Sequence, residues 1–146
     1  MTFNREELIA ELKHDEGELL TAYQDSRGFW TIGVGHCIDR CIAGAGISAP
    51  VSAQLLEQDI ARAELDLDYH LPWWRELTDV RQRVLLNMAF NLGDRLLGFR
   101  KALTAMQGGD WSTAATEMVD SQWAAQVGPR AQRLAEAMRS GVMHSS

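Results

Sequence analysis

Cysteine is scarce in this chain of 146 residues: Cys37 and Cys41 are the only two. With His36 they make three candidate metal ligands in one short segment, short of the four-ligand set of a structural zinc site, so no metal is expected. Whether the two thiols join depends on geometry; free thiols fit a reducing compartment. Long apolar runs are absent too, so no transmembrane helix is expected. Met1 to Glu6 shows no basic region followed by an apolar one, so no signal peptide is visible. Positive charge is short: the net charge is −6 at pH 7, which makes nucleic acid a poor partner. The deficit is uneven. Residues 1–74 hold five Lys and Arg against thirteen Asp and Glu, whereas residues 75–146 hold nine against seven. A chain of this length can bury a core without staples, and its composition fits one compact domain.

What is present is concentrated near the start. His14-Asp15-Glu16-Gly17 is followed by Tyr23-Gln24-Asp25 and then by Phe29-Trp30-Thr31-Ile32-Gly33-Val34-Gly35-His36. Asn4 and Glu7 form a capping-box pattern, with Phe3 and Leu8 at the staple positions, so a helix is expected from about Arg5. Leu8, Leu12 and Glu16 follow at i, i+4 and i+8, so Glu16 extends the apolar stripe, and Gly17 is a natural stop. An acid on the core-facing side of a helix end is partly desolvated, which favours its protonated form. Asp25-Ser26-Arg27-Gly28 is a turn signal between two strands, Leu19 to Gln24 and Phe29 to Val34. Alternation puts Trp30, Ile32 and Val34 on one face and Phe29, Thr31, Gly33 and Gly35 on the other, so the Thr31 face should be small and open. Two carboxylates held apart, with a hydroxyl between them, are the parts needed to cleave a glycosidic bond. One donates a proton to the leaving oxygen; the other, ionised, activates water or stabilises positive charge. Taken singly, Asp25 is also a good turn former and Thr31 an ordinary strand residue.

The spacing Glu16-x8-Asp25-x5-Thr31, with Gly33-x-Gly35-His36 behind it, resembles the phage-type lysozymes, glycoside hydrolase family 24. The resemblance continues through Ile47-Ser48 to Gln58-Asp59, Pro72 to Val80, Met88-Ala89-Phe90-Asn91-Leu92-Gly93, and Ser121-Gln122-Trp123 to Pro129-Arg130. It covers about Leu8 to Gly141. It implies an α+β, mainly helical fold: a small hairpin lobe of about residues 15–60, and a helical lobe of about 70–141 plus the N-terminal helix, joined by a long helix. It implies a peptidoglycan hydrolase that cleaves the β-1,4 bond between N-acetylmuramic acid and N-acetylglucosamine with inversion. Glu16 would be the general acid, Asp25 would position or activate water, and Thr31 would help hold it. Phe90, Asn91, Arg130 and Gly35 would support the site or bind substrate. Arg130 would pair with Glu16, and His36 with Asp59 as a structural ion pair. No cofactor is implied, and a monomer is. The partner would be bacterial peptidoglycan, with a separate holin releasing the enzyme from the host cytoplasm to the wall.

The remainder reads as helix. Ser48 is a plausible cap and Pro50 is tolerable in a first turn, so a helix is expected over about Ala49 to Tyr69, its apolar set including Leu55, Leu56, Ile60, Ala63 and Leu67. Pro72 ends it. Trp73 and Trp74 suit core anchoring better than sugar stacking. Val80 to Leu92 is apolar nearly all round and reads as a buried central helix ended by Gly93. Helices around Phe99 to Met106 and Trp111 to Val119 follow, the second capped by Asp110 or Ser112. Gly128-Pro129 marks the last start, with Pro at the first helical position. Arg130 and Arg133 then oppose the helix dipole, a placement that suits either a solvated face or a carboxylate partner.

Two other functions fit parts of the pattern. A lytic transglycosylase needs Glu16 but no water, so Asp25 and Thr31 argue against it. A non-catalytic wall-binding or membrane-disrupting module would need more cations than Arg130, Arg133 and Arg139 give the last helix. The family pattern is not followed throughout. The segment from His36 to Ile47 is short, so the small lobe should be reduced. Gln122 stands where the phage T4 enzyme has an Arg, and Met143 to Ser146 reads as a tail.

Overall fold

The computed structural model describes residues 2–25, 27, 30–37 and 46–144, without the side chains of residues 22 and 37. Ser26, Gly28 and Phe29 of the expected hairpin turn, Cys41 of the expected thiol pair, the shortened segment over 38–45 and the end of the tail lie outside the described residues, and so does the Cys37 side chain. The fold is mainly helical with a small antiparallel sheet, an α+β lysozyme-like arrangement. The chain divides into two compact units: Arg5–Glu64, and Met1–Asn4 with Leu65–Ser146.

The first unit begins with α1, Arg5–Glu16. Leu8 and Leu12 are buried on its inner stripe. The helix stops where Gly17 turns to φ +71°, and the Gly17 N–H closes the last turn on the Lys13 carbonyl at 2.9 Å. At the other end, the Asn4 N–H donates to Asp79 Oδ1, the task a capping box gives to Glu7. Arg5 reaches Glu57 and Glu64 at 2.9 and 2.8 Å, which helps group α1 with this unit.

Three strands follow in the order β1 (Leu19–Gln24), β2 (Trp30–Gly33) and β3 (His36–Cys37), all antiparallel. Tyr23 stands opposite Thr31, and Thr31 opposite Cys37. The register shifts between Leu19 and Tyr23. Thr21 bridges to Gly46, where an added Cβ would stand 2.9 Å from the Leu20 carbonyl oxygen; only glycine lets the backbones approach so closely. The Thr31 face is not open as expected: Thr31 is 3% exposed. Alternation assigns a residue to a face but says nothing of what covers that face. It also ends early, because Gly33 takes φ +67° and Val34 lies in a turn.

α2 runs Ala49–His70, begun by Ser48, whose Oγ accepts from the Val51 N–H. Leu56, Ile60, Ala63 and Leu67 form its buried stripe, and Leu55 is half-buried. In the second unit a 3-10 turn at Pro72–Glu76 follows α2. Trp74 there is fully buried, its indole N–H donating to Asp68 Oδ1 at 2.8 Å, while Trp73 is half-buried. Then come α3 (Asp79–Leu92), a 3-10 turn at Gly93–Gly98, α4 (Arg100–Gln107), α5 (Trp111–Val119), α6 (Gln122–Val127) and α7 (Pro129–Ser140). α3 is the buried centre of this unit, with Val84, Leu85, Leu86 and Met88 at most 1% exposed. α7 packs on α3, α5 and α6, and Met106, Met118, Leu134 and Met138 complete the core.

Candidate active site

Glu16 is the last residue of α1 and is half-buried. Its placement depends on a missing side chain. A Cβ on Gly35 would stand 2.9 Å from Glu16 Oε2 and 3.0 Å from Glu16 Cβ and Cδ. Gly35 also has φ +66°, a conformation that strains other L-residues. The loop after β2 therefore packs its bare backbone against the carboxylate. Asp25 follows β1 directly, half-buried, and its Oδ1 accepts the Arg27 N–H at 2.9 Å in an Asx turn.

Tyr23 ties the carboxylates to the sheet. Burial, followed by the charges of Glu16 and then Asp25, raises its phenol above the ordinary tyrosine range. Its position opposite Thr31 puts it beside the third expected member. The first unit thus places Glu16 and Asp25 within electrostatic reach of one tyrosine paired with Thr31, a tyrosine to which its place in the motif alone gives no role. The signal was there, since Tyr23 lies two residues before Asp25 on a strand whose pairing fixes its neighbour.

The rest of this unit braces the frame. His36 Nδ1 lies 2.6 Å from Asp59 Oδ2, joining β3 to α2. Ser52, fully buried on α2, donates to Glu18 Oε2 at 2.7 Å. A Cβ on Gly33, the last residue of β2, would stand 3.0 Å from the Ser52 hydroxyl, so this glycine too is set by close approach. Among the described residues no group of three or more His, Cys, Asp and Glu could hold a metal ion.

The second unit carries the other expected positions. Phe90 and Asn91 are half-buried near the end of α3. Asn91 Oδ1 accepts the Trp123 indole N–H at 2.8 Å, and the Trp123 ring meets Phe99 edge-on at 5.9 Å. Arg130, in the first turn of α7, donates from Nε at 3.1 Å and from Nη2 at 2.8 Å to Asn87 Oδ1. Asn87 is fully buried, so Arg130 does not decorate a solvated face. Asn87 was missed because its helix reads as apolar all round, yet a polar residue there is itself a signal, since a buried amide needs partners. A hollow of about 510 Å³ in this unit is lined by Leu92, Phe99, Arg100, Lys101, Glu117 and Trp123, among others, and by none of Glu16, Asp25 and Thr31. No helix of the described residues is long and apolar enough to cross a membrane.

Residues 13–139 match the phage lysozyme family, and the chain belongs to it. It is 27% identical to a probable T4-type lysozyme of Dictyostelium discoideum, over 92% of this chain and 94% of that protein. It is 33% identical to the pre-baseplate central spike protein of Enterobacteria phage T4, over 92% of this chain but 28% of that protein. A shorter stretch, 38% of this chain and 41% of the relative, is 47% identical to the endolysin of Salmonella phage P22.

Proposed function

We propose that this protein is a lysozyme that hydrolyses the β-1,4 bond between N-acetylmuramic acid and N-acetylglucosamine in bacterial peptidoglycan. One observation carries the reading: Glu16, Asp25 and Thr31 all fall inside the stretch that matches the family, and both carboxylates act on the tyrosine paired with Thr31. In this mechanism Glu16 protonates the leaving glycosidic oxygen. Asp25, ionised, positions and activates a water, and Thr31 helps hold it. Water attacks from the face opposite the leaving group, so the anomeric carbon inverts. Arg130, Phe90 and Asn91 serve substrate binding. His36 and Asp59 have a structural role. The enzyme acts as a monomeric endolysin without cofactor, and a holin releases it from the host cytoplasm to the wall.

Mass analysis of products from purified peptidoglycan tests this. New reducing ends are expected. Anhydro ends would make the protein a transglycosylase, and intact glycan would make it a non-catalytic module. NMR of the first-formed anomer checks inversion.

A further inference from the structure

Tyr23 stands among the site's acids yet has no part in the chemistry above. It faces Thr31 directly across the β1–β2 ladder, and opposed residues in such a pair have Cβ atoms about 4.5–5.5 Å apart. Its phenol is half-buried and feels both Glu16 and Asp25. The two carboxylates reach it through charge, and its hydroxyl makes no hydrogen bond to any described residue. A neutral O–H donor at this position can serve what the carboxylates, as acceptors, cannot. A sugar offers it acceptors in its hydroxyl and acetamido oxygens, and an apolar ring face that suits an aromatic side chain.

We propose that Tyr23 is a further substrate-binding residue of this site: its ring, opposite Thr31, lies against the bound glycan, and its hydroxyl donates to a sugar oxygen. The proposal rests on the glycan-hydrolase reading of the same site. A contact made equally in the ground and transition states tightens binding without changing turnover, so the role is visible in KM rather than kcat.

The test is Tyr23→Phe, which keeps the ring and removes only the donor. Steady-state hydrolysis of soluble, uncrosslinked peptidoglycan strands is followed beside the melting temperature. KM should rise roughly three- to tenfold, the effect of losing one neutral hydrogen bond, with kcat and melting temperature unchanged. Affinity for the same strands is also measured without turnover, in Glu16→Gln and in Glu16→Gln/Tyr23→Phe, and should fall by the same factor. Unchanged KM and affinity in an active enzyme would overturn the substrate contact and leave the hydrolase reading standing. A fall in kcat or in melting temperature at constant KM would overturn it in favour of packing. A wild-type protein that releases no reducing ends would overturn the functional reading, and this proposal with it.

Discussion

A carboxyl group and a carboxamide have nearly the same shape, but only the first can pass a proton to a leaving oxygen. Glu16→Gln should therefore abolish turnover on purified peptidoglycan while far-UV circular dichroism and melting temperature stay near wild type. Appreciable lysis by the folded variant would remove Glu16 as the acid. Arg130 calls for a different substitution series. Two of its N–H groups converge on the single oxygen of Asn87, a fork that an ammonium cannot reproduce. Arg130→Ala should lower the rate of wall lysis, and Arg130→Lys should recover only part of the loss. Equal rates in the three proteins would show that Arg130 serves only α7. Such residues differ in how far they can be read from sequence. The spacing of Glu16, Asp25 and Thr31 is visible at once because each residue type carries a chemical task. Tyr23 and Asn87 are not visible that way, because their importance comes from what pairing and burial place beside them.

At the scale of elements, propensity and punctuation reach far. Asn4 and Gly17 bound α1, Ser48 and Pro72 bound α2, Gly93 ends α3, and Pro129 opens α7, much as their chemistry requires. α6 was missed because six residues rich in alanine show no apolar period; its cap, Ser121 accepting from the Ala124 N–H, was the one local signal. The 3-10 turns were missed for the same reason. Two glycines allow a direct comparison of what an element boundary needs. Gly17 and Gly35 both have positive φ, but an added Cβ meets nothing within 4 Å at Gly17 and meets Glu16 at Gly35. Gly17→Ala should cost about 1–2 kcal/mol of backbone strain. Gly35→Ala should cost that and roughly 1–3 kcal/mol more for overpacking, and should depress turnover well beyond its effect on folding. Urea unfolding beside initial rates measures both; equal costs would mean that Glu16 yields freely to a neighbouring methyl.

For the molecule as a whole, stability should fall away at both ends of the pH range, through different residues. Hydrogen bonding to Arg75 holds Asp68 below the usual carboxylate range; Asp110, bonded to Thr113, and Glu136, bonded to Arg139, are lowered likewise. A carboxylate depressed on folding contributes stability above its unfolded value, near 4, and loses it as pH falls through the folded one. Tyr23 works in the other direction. Its folded value is raised, so its contribution is complete below about pH 10 and is lost as pH climbs through the folded value. Melting temperatures across pH 2 to 11 should show Asp68→Asn flattening the acid limb and Tyr23→Phe flattening the alkaline one. Limbs unchanged by both substitutions would place the pH dependence elsewhere. These pairings join residues no more than seven positions apart, set by local geometry that composition does not record, which is why composition alone could show the acid excess without showing which acids it protects.

The division into units also bears on synthesis. Arg5–Glu64 is one continuous stretch, whereas the other unit takes in Met1–Asn4 together with everything from Leu65. A chain leaving the ribosome therefore completes the segment bearing Glu16, Asp25 and Thr31 first, and domains tend to fold in that order. Two earlier residues must wait: the Asn4 N–H has no Asp79, and the Phe3 ring no Trp74, until the chain beyond α2 has emerged. The unit made first can organise its acids early, while the unit made last closes back on residues that precede it in the chain.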